Sequence, residues 1–596
     1  MHSYFGFLCL VSYFLKSLPQ VLCQRTHANV LTNETDAFIN RVLADWNSPG
    51  GIAVAVVRKD DQGAWNVETK GYGAATANGD KVTENTLFGI GSNSKLFTIL
   101  ATGLLINNAT LSPRLEWTSK MASILPTWGL WDTTAAKEAT IIDVMSHRTG
   151  LPGHDFSYKW SDDVPRLIEK MKYQRPSAEF RDVFQYSNNM YSVLSYLPTV
   201  LLPSKIPFTR YVKQTIFDRL NMTSTTYSFS VARSTGLLAD GMARQGINFS
   251  DNPFGGIPRA LPFWATAGNE DGNLVSGGAG IISNAVDLAI WLQTLLSNGL
   301  RPGTNESVIP AEVTEKVSAG VSVQAGAAQF PELSPLVYGG GAQRGTYRGH
   351  EILERGGSIP GFNTQVARLP FDNLGVAVLT NDNDYGSFII QVIKGRLLDE
   401  ALGLDKIDWH SRFKALALTT PPRATPRPTN ASLPWTDFIT LTGTYDNPGY
   451  GKFELCLIAP KHPGASRSCA ALASNAPTIL PGAVEADIPT FLAEWDNPGF
   501  SHIRLTHFNG NVFNLSTLSS FPANDSSKPY WTHGGDSSFS SGAYAEAAAE
   551  GRHVGIGFTG IWGAGAGVPG PIGSTVRERA EVWFHKIPYD MDFHLE

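Results

Sequence analysis

The spacing of hydrophobic positions changes several times along the chain. From Glu34 to Trp46, Phe38, Ile39, Val42 and Leu43 recur at helical intervals, which predicts an amphipathic helix with Asn33 as its N-cap. GIAVAVVRKDDQGAWNVETKGYG then predicts two strands around a turn containing Asp60, Asp61 and Gly63. The stretch GIGSNSKLFTILATGLLI, Gly89 to Ile106, opens polar and turns almost wholly apolar, as a buried helix does. Residues 112–260 read as mainly helical and loop-rich. Between Gly280 and Gly299, Leu288, Ile290, Trp291, Leu292, Leu295 and Leu296 predict another helix, with Ser283 or Asn284 as cap. From Tyr338 the spacing returns to strands in TYRGHEIL, NTQVARLP and NLGVAVLTN, and a helix from Ser387 to Leu402 closes the unit. Strands at both ends of a helical segment predict one α+β domain whose sheet is assembled from both ends.

The texture then changes. TTPPRATPRPTNASLP is proline-rich and reads as an extended linker. Beyond it, short alternating runs such as GKFELCLIA, HIRLTHF, NVFNLSTL and HVGIGFTGIW are separated by Gly, Pro and Asn, the pattern of an all-β sandwich or barrel. This part contains an internal echo, YDNPGYGKFEL from Tyr445 and WDNPGFSHIRL from Trp495, read as repeated hairpin chemistry. At the other end, an apolar run from Phe5 to Leu15 has the length of a signal-peptide core, with Val21 and Cys23 placed for cleavage before Gln24. The expected organisation is a signal peptide (1–23), a main α+β domain (24–410), a linker (411–434) and an all-β domain (435–596).

Composition supports a secreted globular protein. The 596 residues carry a formal net charge of −6 and no Lys/Arg-rich run, which argues against a nucleic-acid partner. Of four cysteines, Cys9 and Cys23 fall in the signal, so Cys456 and Cys469 remain as an expected disulfide tying neighbouring strands. Eight N-x-S/T sequons stand at Asn33, Asn108, Asn221, Asn248, Asn305, Asn430, Asn514 and Asn524. Chance would supply roughly half that number, and the excess agrees with extracellular glycosylation.

The polar head of the 89–106 stretch holds the candidate chemistry. On a helix, Ser92 and Lys95 at i and i+3 share a face, whereas Ser94 is too close in sequence to meet Lys95. A lysine on an apolar helix loses water, its pKa falls, and the neutral amine can take a proton from a serine. The pattern is weak alone: Ser411 and Lys414 repeat it, and a serine cap beside a snorkelling lysine explains it as well. Two further segments change the balance. Tyr186-Ser187-Asn188 leads into another apolar helix, so a phenol and an amide could meet Lys95, although Tyr445-Asp446-Asn447 shows that Y-x-N is also common. In ERGGSIPGF, strand residues end at Glu354-Arg355, Gly356 and Gly357 admit a substrate backbone, and the Ser358 amide can face an oxyanion.

S-x-x-K, then Y-S-N, then a basic residue with Gly-Gly, together with DVMSHRTGLPGHD and GGAGIISNAVDLAIWL, resembles the penicillin-recognising serine hydrolases over residues 30–405. Within that family the segment resembles class C β-lactamases, D-alanyl-D-alanine carboxypeptidases and their esterase relatives, and the β-domain after the linker resembles the C-terminal extension of fungal secreted members. The resemblance implies an antiparallel sheet flanked by helices, an all-helical lobe, and a site between them. It also implies Ser92 as acylated nucleophile, Lys95 as its base, and Tyr186 as acid/base for the leaving group and for deacylation. Asn188 would orient substrate and Lys95, with the Ser92 and Ser358 amides as oxyanion hole. The family's third motif usually begins with Lys or His, and Arg355 departs from it. An arginine cannot shuttle protons, but it can hold a substrate carboxylate or depress the Tyr186 pKa.

The remaining candidates read as structural. His147 packs in a turn and His350 sits on a strand. His502 and His507 lack the partners of a metal site, and Gly339-Gly340-Gly341 lacks the strand-to-helix context of a phosphate loop. The expectation is a secreted, cofactor-free serine hydrolase that forms an acyl-enzyme on a small ester, amide or β-lactam-like substrate, with no metal, no nucleic acid and no membrane contact after signal removal. An acyltransferase using the same residues, or a non-catalytic binding protein of the same fold, remains as alternative.

Overall fold

The computed structural model describes residues 29–588 except 61, 420–425, 463, 524–526, 535–541, 551–552 and 566–567. The expected signal peptide and Asn524 lie outside the described residues. The first helix, α1, spans Asn33–Asp45, and its cap is Thr32, whose Oγ1 accepts the Thr35 N–H at 3.3 Å. Asn33 is therefore already helical: Thr32 keeps the extended backbone that a cap requires.

Eight strands form the main sheet: β1 (Gly51–Lys59), β2 (Trp65–Gly73), β3 (Ser322–Ala325), β4 (Leu336–Tyr338), β5 (Gln343–Tyr347), β6 (His350–Ile359), β7 (Phe362–Leu369) and β8 (Leu374–Thr380). Their order is β2-β1-β8-β7-β6-β5-β4-β3, all antiparallel, so the two ends of the segment meet where β1 pairs with β8. The period of two sends alternate residues of β1 into different cores. Ala53, Ala55 and Val57 face the helical lobe, and Ile52, Val54 and Val56 face the opposite layer. TYRGHEIL is a hairpin and not one strand, since Arg348 and Gly349 both take positive φ between β5 and β6. β6 also runs on past Glu354-Arg355 to Ile359, because Gly357 and Ser358 pair with Thr364 and Asn363.

Helix α2 (Ser94–Ile106) crosses the lobe face of the sheet, beside α3 (Asn188–Ser195) and α4 (Ala285–Leu296). Asn284 is the α4 cap, accepting the Asp287 N–H at 2.9 Å. The largely helical 112–260 region also contains an antiparallel hairpin, Gly241–Gln245 with Ile257–Leu261, which its non-alternating sequence concealed. On the other face lie α1, α5 (Gly386–Leu402) and α6 (Trp409–Thr419). Helix α6 occupies the residues expected to begin the linker. Trp409, Phe413 and Ala417, four apart, bury one stripe in that core, so the folded domain extends to 419.

The C-terminal part is a barrel of β9 (Gly443–Asn447), β10 (Gly451–Ala459), β11 (Thr490–Asn497), β12 (Phe500–Asn509), β13 (Val512–Pro522), β14 (Tyr530–Gly534), β15 (Tyr544–Glu550), β16 (His553–Thr559) and β17 (Val582–Lys586). The ring runs β12-β11-β10-β9-β17-β16-β15-β13, closes through β12 with β13, and carries β14 on β13. Its core is aromatic, with Tyr445, Phe453, Trp495, Phe500, Phe558 and Phe584. Cys456 and Cys469 are disulfide-bonded, but Cys469 lies on helix α7 (Arg467–Ile479), so the bridge joins a strand to a helix packed on it and not two strands.

Candidate active site

Ser92 sits in a tight turn, Gly91–Asn93, immediately before α2. Gly91 has φ +53, and a side chain there would meet the Ser358 nitrogen at 2.8 Å. The Asn93 amide donates to Thr364 Oγ1 at 2.9 Å, and Thr364 Oγ1 donates to the Ile90 carbonyl at 3.0 Å, which pins the turn to β7. A side chain at Gly357 would lie 2.0 Å from that same Ile90 carbonyl. Buried Gly357 thus lets β6 run against the Ser92 turn, whereas Gly356 beside it is exposed.

Around this turn the sequence-predicted residues converge. Ser92 Oγ lies 2.7 Å from the Tyr186 hydroxyl and 3.1 Å from Lys95 Nζ. Lys95 Nζ also donates to Asn188 Oδ1 at 2.6 Å and to the Gly278 carbonyl at 2.8 Å. Arg355 Nη2 donates to the Tyr186 hydroxyl at 2.5 Å, and its guanidinium lies 4.8 Å from the Tyr186 ring centre and 5.7 Å from that of Tyr338. Glu354, next to Arg355, instead pairs with Lys394 at 2.6 Å. Ser94 is fully buried and accepts the Ile281 N–H at 3.1 Å, a structural tie.

The electrostatics follow from burial and from clustered positive charge. Lys95 has no exposed surface, and loss of water drives its pKa down; Tyr186 partly opposes this, and repulsion from Arg355 adds to it. For Tyr186, burial pushes the phenol up, but the charges of Arg355 and Lys95 outweigh it and its pKa is lowered. In a neutral lysine, two N–H bonds go to Asn188 Oδ1 and the Gly278 carbonyl, and the lone pair is left facing Ser92 Oγ. The site can therefore take up the Ser92 proton at two neighbouring atoms.

Sequence reasoning passed over several contributors. The Gly278 carbonyl carries no side-chain signal. His147 was read as packing, and it brackets Tyr186: its carbonyl accepts the Gln185 N–H at 2.7 Å and its Nδ1 accepts the Ser187 N–H at 3.2 Å. Burial holds its pKa well below the usual range. Asp155 accepts the Asn188 amide, at 3.1 Å to Oδ2 and 3.3 Å to Oδ1. His350 pairs with Asp372 at 2.9 Å, and His502 and His507 bond to Ser501 and the Gly510 carbonyl within the barrel. Gly341, in the glycine run set aside as a phosphate loop, takes φ +72 where a side chain would strike Leu96 at the start of α2. The second Ser-x-x-Lys lies on α6, where Lys414 donates to the Asp45 carbonyl at 2.9 Å.

Comparison with known proteins gives the family of the chain. The chain is similar to the Unguisins hydrolase ungD of Aspergillus violaceofuscus, 29% identical over 466 residues that make up 72% of this chain and 77% of the relative. The Unguisins hydrolase ungD' of Aspergillus campestris is 29% identical over 63% of this chain and 67% of its own length. In fold it resembles the octameric penicillin-binding protein homologue from Pyrococcus abyssi, with a TM-score of 0.52 at 18% identity, covering 88% of this chain and 97% of that one. The Beta-lactamase family model matches residues 41–391, a span that contains Ser92, Lys95, Tyr186, Asn188 and Arg355, and the chain belongs to that family.

Proposed function

We propose that the protein hydrolyses a small ester or amide through an acyl-enzyme on Ser92. One observation carries this reading: Ser92 Oγ stands within hydrogen-bond distance of both the Tyr186 hydroxyl and Lys95 Nζ. Ser92 Oγ attacks the acyl carbon, and its proton passes to Lys95 Nζ. The oxyanion is met by the backbone amides of Ser92 and Ser358, a pairing supported by the close packing of Gly91 on Ser358. Tyr186 protonates the leaving alcohol or amine as the tetrahedral intermediate collapses. Tyr186 then takes a proton from the water that attacks the acyl ester, and as the acid leaves Lys95 Nζ returns its proton to Ser92 Oγ, 3.1 Å away. Arg355, already engaged with Tyr186, favours the ionised phenol and does not itself carry the proton. The names of the fungal relatives support hydrolysis as the outcome.

The test is intact-mass detection of an acyl adduct across a panel of esters, D-amino-acid peptides and β-lactams, followed by the loss of that adduct in water. An adduct that maps to Ser92 and decays to free acid is expected; no adduct with any acyl donor or fluorophosphonate would overturn the reading. Secretion and glycosylation belong to the same proposal. Asn33, Asn221, Asn248, Asn305, Asn430 and Asn514 are exposed and open to modification. A glycosidase-induced mass shift on protein from a secreting fungal host checks this.

A further inference from the structure

One seat of the barrel on the catalytic domain is the turn at residues 153–158; others are Arg175, which donates to the Glu578 and Ala580 carbonyls at 2.8 and 3.1 Å, and Trp531, packed with Ala243 and Leu261. Phe156 has no exposed surface and belongs to the barrel's own aromatic core, 4.8 Å from the Phe500 ring. The Trp495 indole N–H donates to the Phe156 carbonyl at 3.0 Å. The Asn497 amide donates to the carbonyls of Asp155 at 2.8 Å and Tyr158 at 3.2 Å. Tyr450 meets His154 Nδ1 at 2.6 Å, and the backbone N–H of His154 donates to the Trp562 carbonyl at 3.0 Å. Tyr450 and Asn497 come from the two echoed hairpins, YDNPGY and WDNPGF. In each, the Asn side chain also accepts the N–H of the following glycine at 2.8 Å.

The seat matters because of what Asp155 does. The Asn188 side chain has one accepting and one donating end. Lys95 is served only if Asn188 Oδ1 faces it; a flipped amide would put N–H against N–H and leave the lysine lone pair unaimed. A carboxylate accepts only, so Asp155 on the Asn188 Nδ2 side fixes the orientation. We infer that Asp155 is a positioning residue for Lys95, acting through Asn188, and that the C-terminal barrel is part of the active site's support because its two echoed hairpins fasten the Asp155 turn. This rests on the acyl-enzyme reading of Ser92.

The groups facing Asp155 are Lys95, Asn188, Tyr158, Tyr450 and the adjoining His154. Those facing Lys95 are Ser92, Tyr186, Asn188, Tyr191, Arg355, Asp155 and His147. The Asp155 charge raises the Lys95 pKa, so removing it lowers that pKa and extends the neutral amine to lower pH. Burial raises the Asp155 pKa, and burial drives His154 down to about 4, which keeps the imidazole neutral.

The experiment measures the rate of Ser92 labelling by a fluorophosphonate, and kcat and KM on whichever ester the panel yields, against pH, in the full chain. Asp155→Ala should slow acylation about tenfold to a hundredfold, in kcat more than in KM. Asp155→Asn, which offers a donor as well as an acceptor and so leaves Asn188 free to flip, should slow acylation by less than Asp155→Ala does and move the acid limb to lower pH. Asn497→Ser keeps a turn acceptor for Gly499 and removes the donors to the Asp155 turn, and should slow acylation in the same direction. Wild-type acylation with an unmoved acid limb in Asp155→Asn overturns the role of Asp155. An unchanged rate in Asn497→Ser overturns the role of the barrel. If Asp155→Ala does not fold, the other two variants still decide. Absence of labelling in the wild type would instead refute the acyl-enzyme reading itself.

Discussion

Ser92 to Lys95 and Ser411 to Lys414 share one spacing and end in opposite circumstances. The first pair begins a helix buried on every side; its lysine has no exposed surface and its three nearest partners include the serine. The second lies on α6 with Ser411 exposed, while Lys414 crosses the Phe254 ring at 4.8 Å to reach a carbonyl on α1. Spacing brings a serine and a lysine to one face of a helix; desolvation and a set of acceptors turn the lysine into a base.

The strongest way to break this contrast is at the serines. Ser92→Ala should abolish the acyl adduct and lower turnover by more than about a thousandfold, and Ser411→Ala should leave both unchanged. Mass spectrometry of labelled protein checks it, and label retained on Ser92→Ala would sink it. Next come the lysines. Lys95→Met should reduce the acylation rate by about a hundredfold to ten-thousandfold. Lys414→Met should leave the rate alone and shift stability by no more than about 1 kcal/mol, read from thermal unfolding.

A smaller effect sharpens the electrostatic side. Arg355→Met removes the positive charge that lowers both the Lys95 and Tyr186 pKa values. Both bases then need higher pH to deprotonate, so the rising limb of kcat/KM should move up by about one unit. A downward shift would show that this charge does not tune the pair. The smallest effect is expected at Ser94, whose bond to the Ile281 N–H is structural. Ser94→Ala should cost about 1 kcal/mol of stability while Ser92 still labels.

How much could be read from the chain alone varies with how local the signal is. The strands 51–59 and 374–380 and helix α1 follow from period and β-branched content, which act within a few residues. Helix α6 was missed because proline-rich sequence begins soon after it and its apolar stripe has meaning only against α1 and α5. The end of β6 was misplaced because Gly356 and Gly357 look like punctuation, whereas Gly357 is required by the carbonyl of Ile90. At the site, Ser92 and Lys95 share a spacing that Ser411 and Lys414 repeat, and it is the family resemblance of three motifs in order that singles out these two together with Tyr186, Asn188 and Arg355. The Gly278 carbonyl and Asp155 are not singled out, since a backbone atom has no residue type and an isolated aspartate in a loop usually faces water.

What the sequence determines unaided is a set of elements and a chemical repertoire: a buried helix opening with a serine and a lysine, a Tyr-Ser-Asn turn, a basic strand beside glycines, and two like hairpins in a β-rich segment. These depend on side-chain type and short-range periodicity. The tertiary structure alone decides which serine and lysine meet a phenol, which way the Asn188 amide points, that Arg355 rests on Tyr186, and that the hairpins of the barrel grip the turn carrying Asp155. Each of those contacts joins residues far apart in the chain, and each draws its strength from the exclusion of water, which only the packed fold supplies.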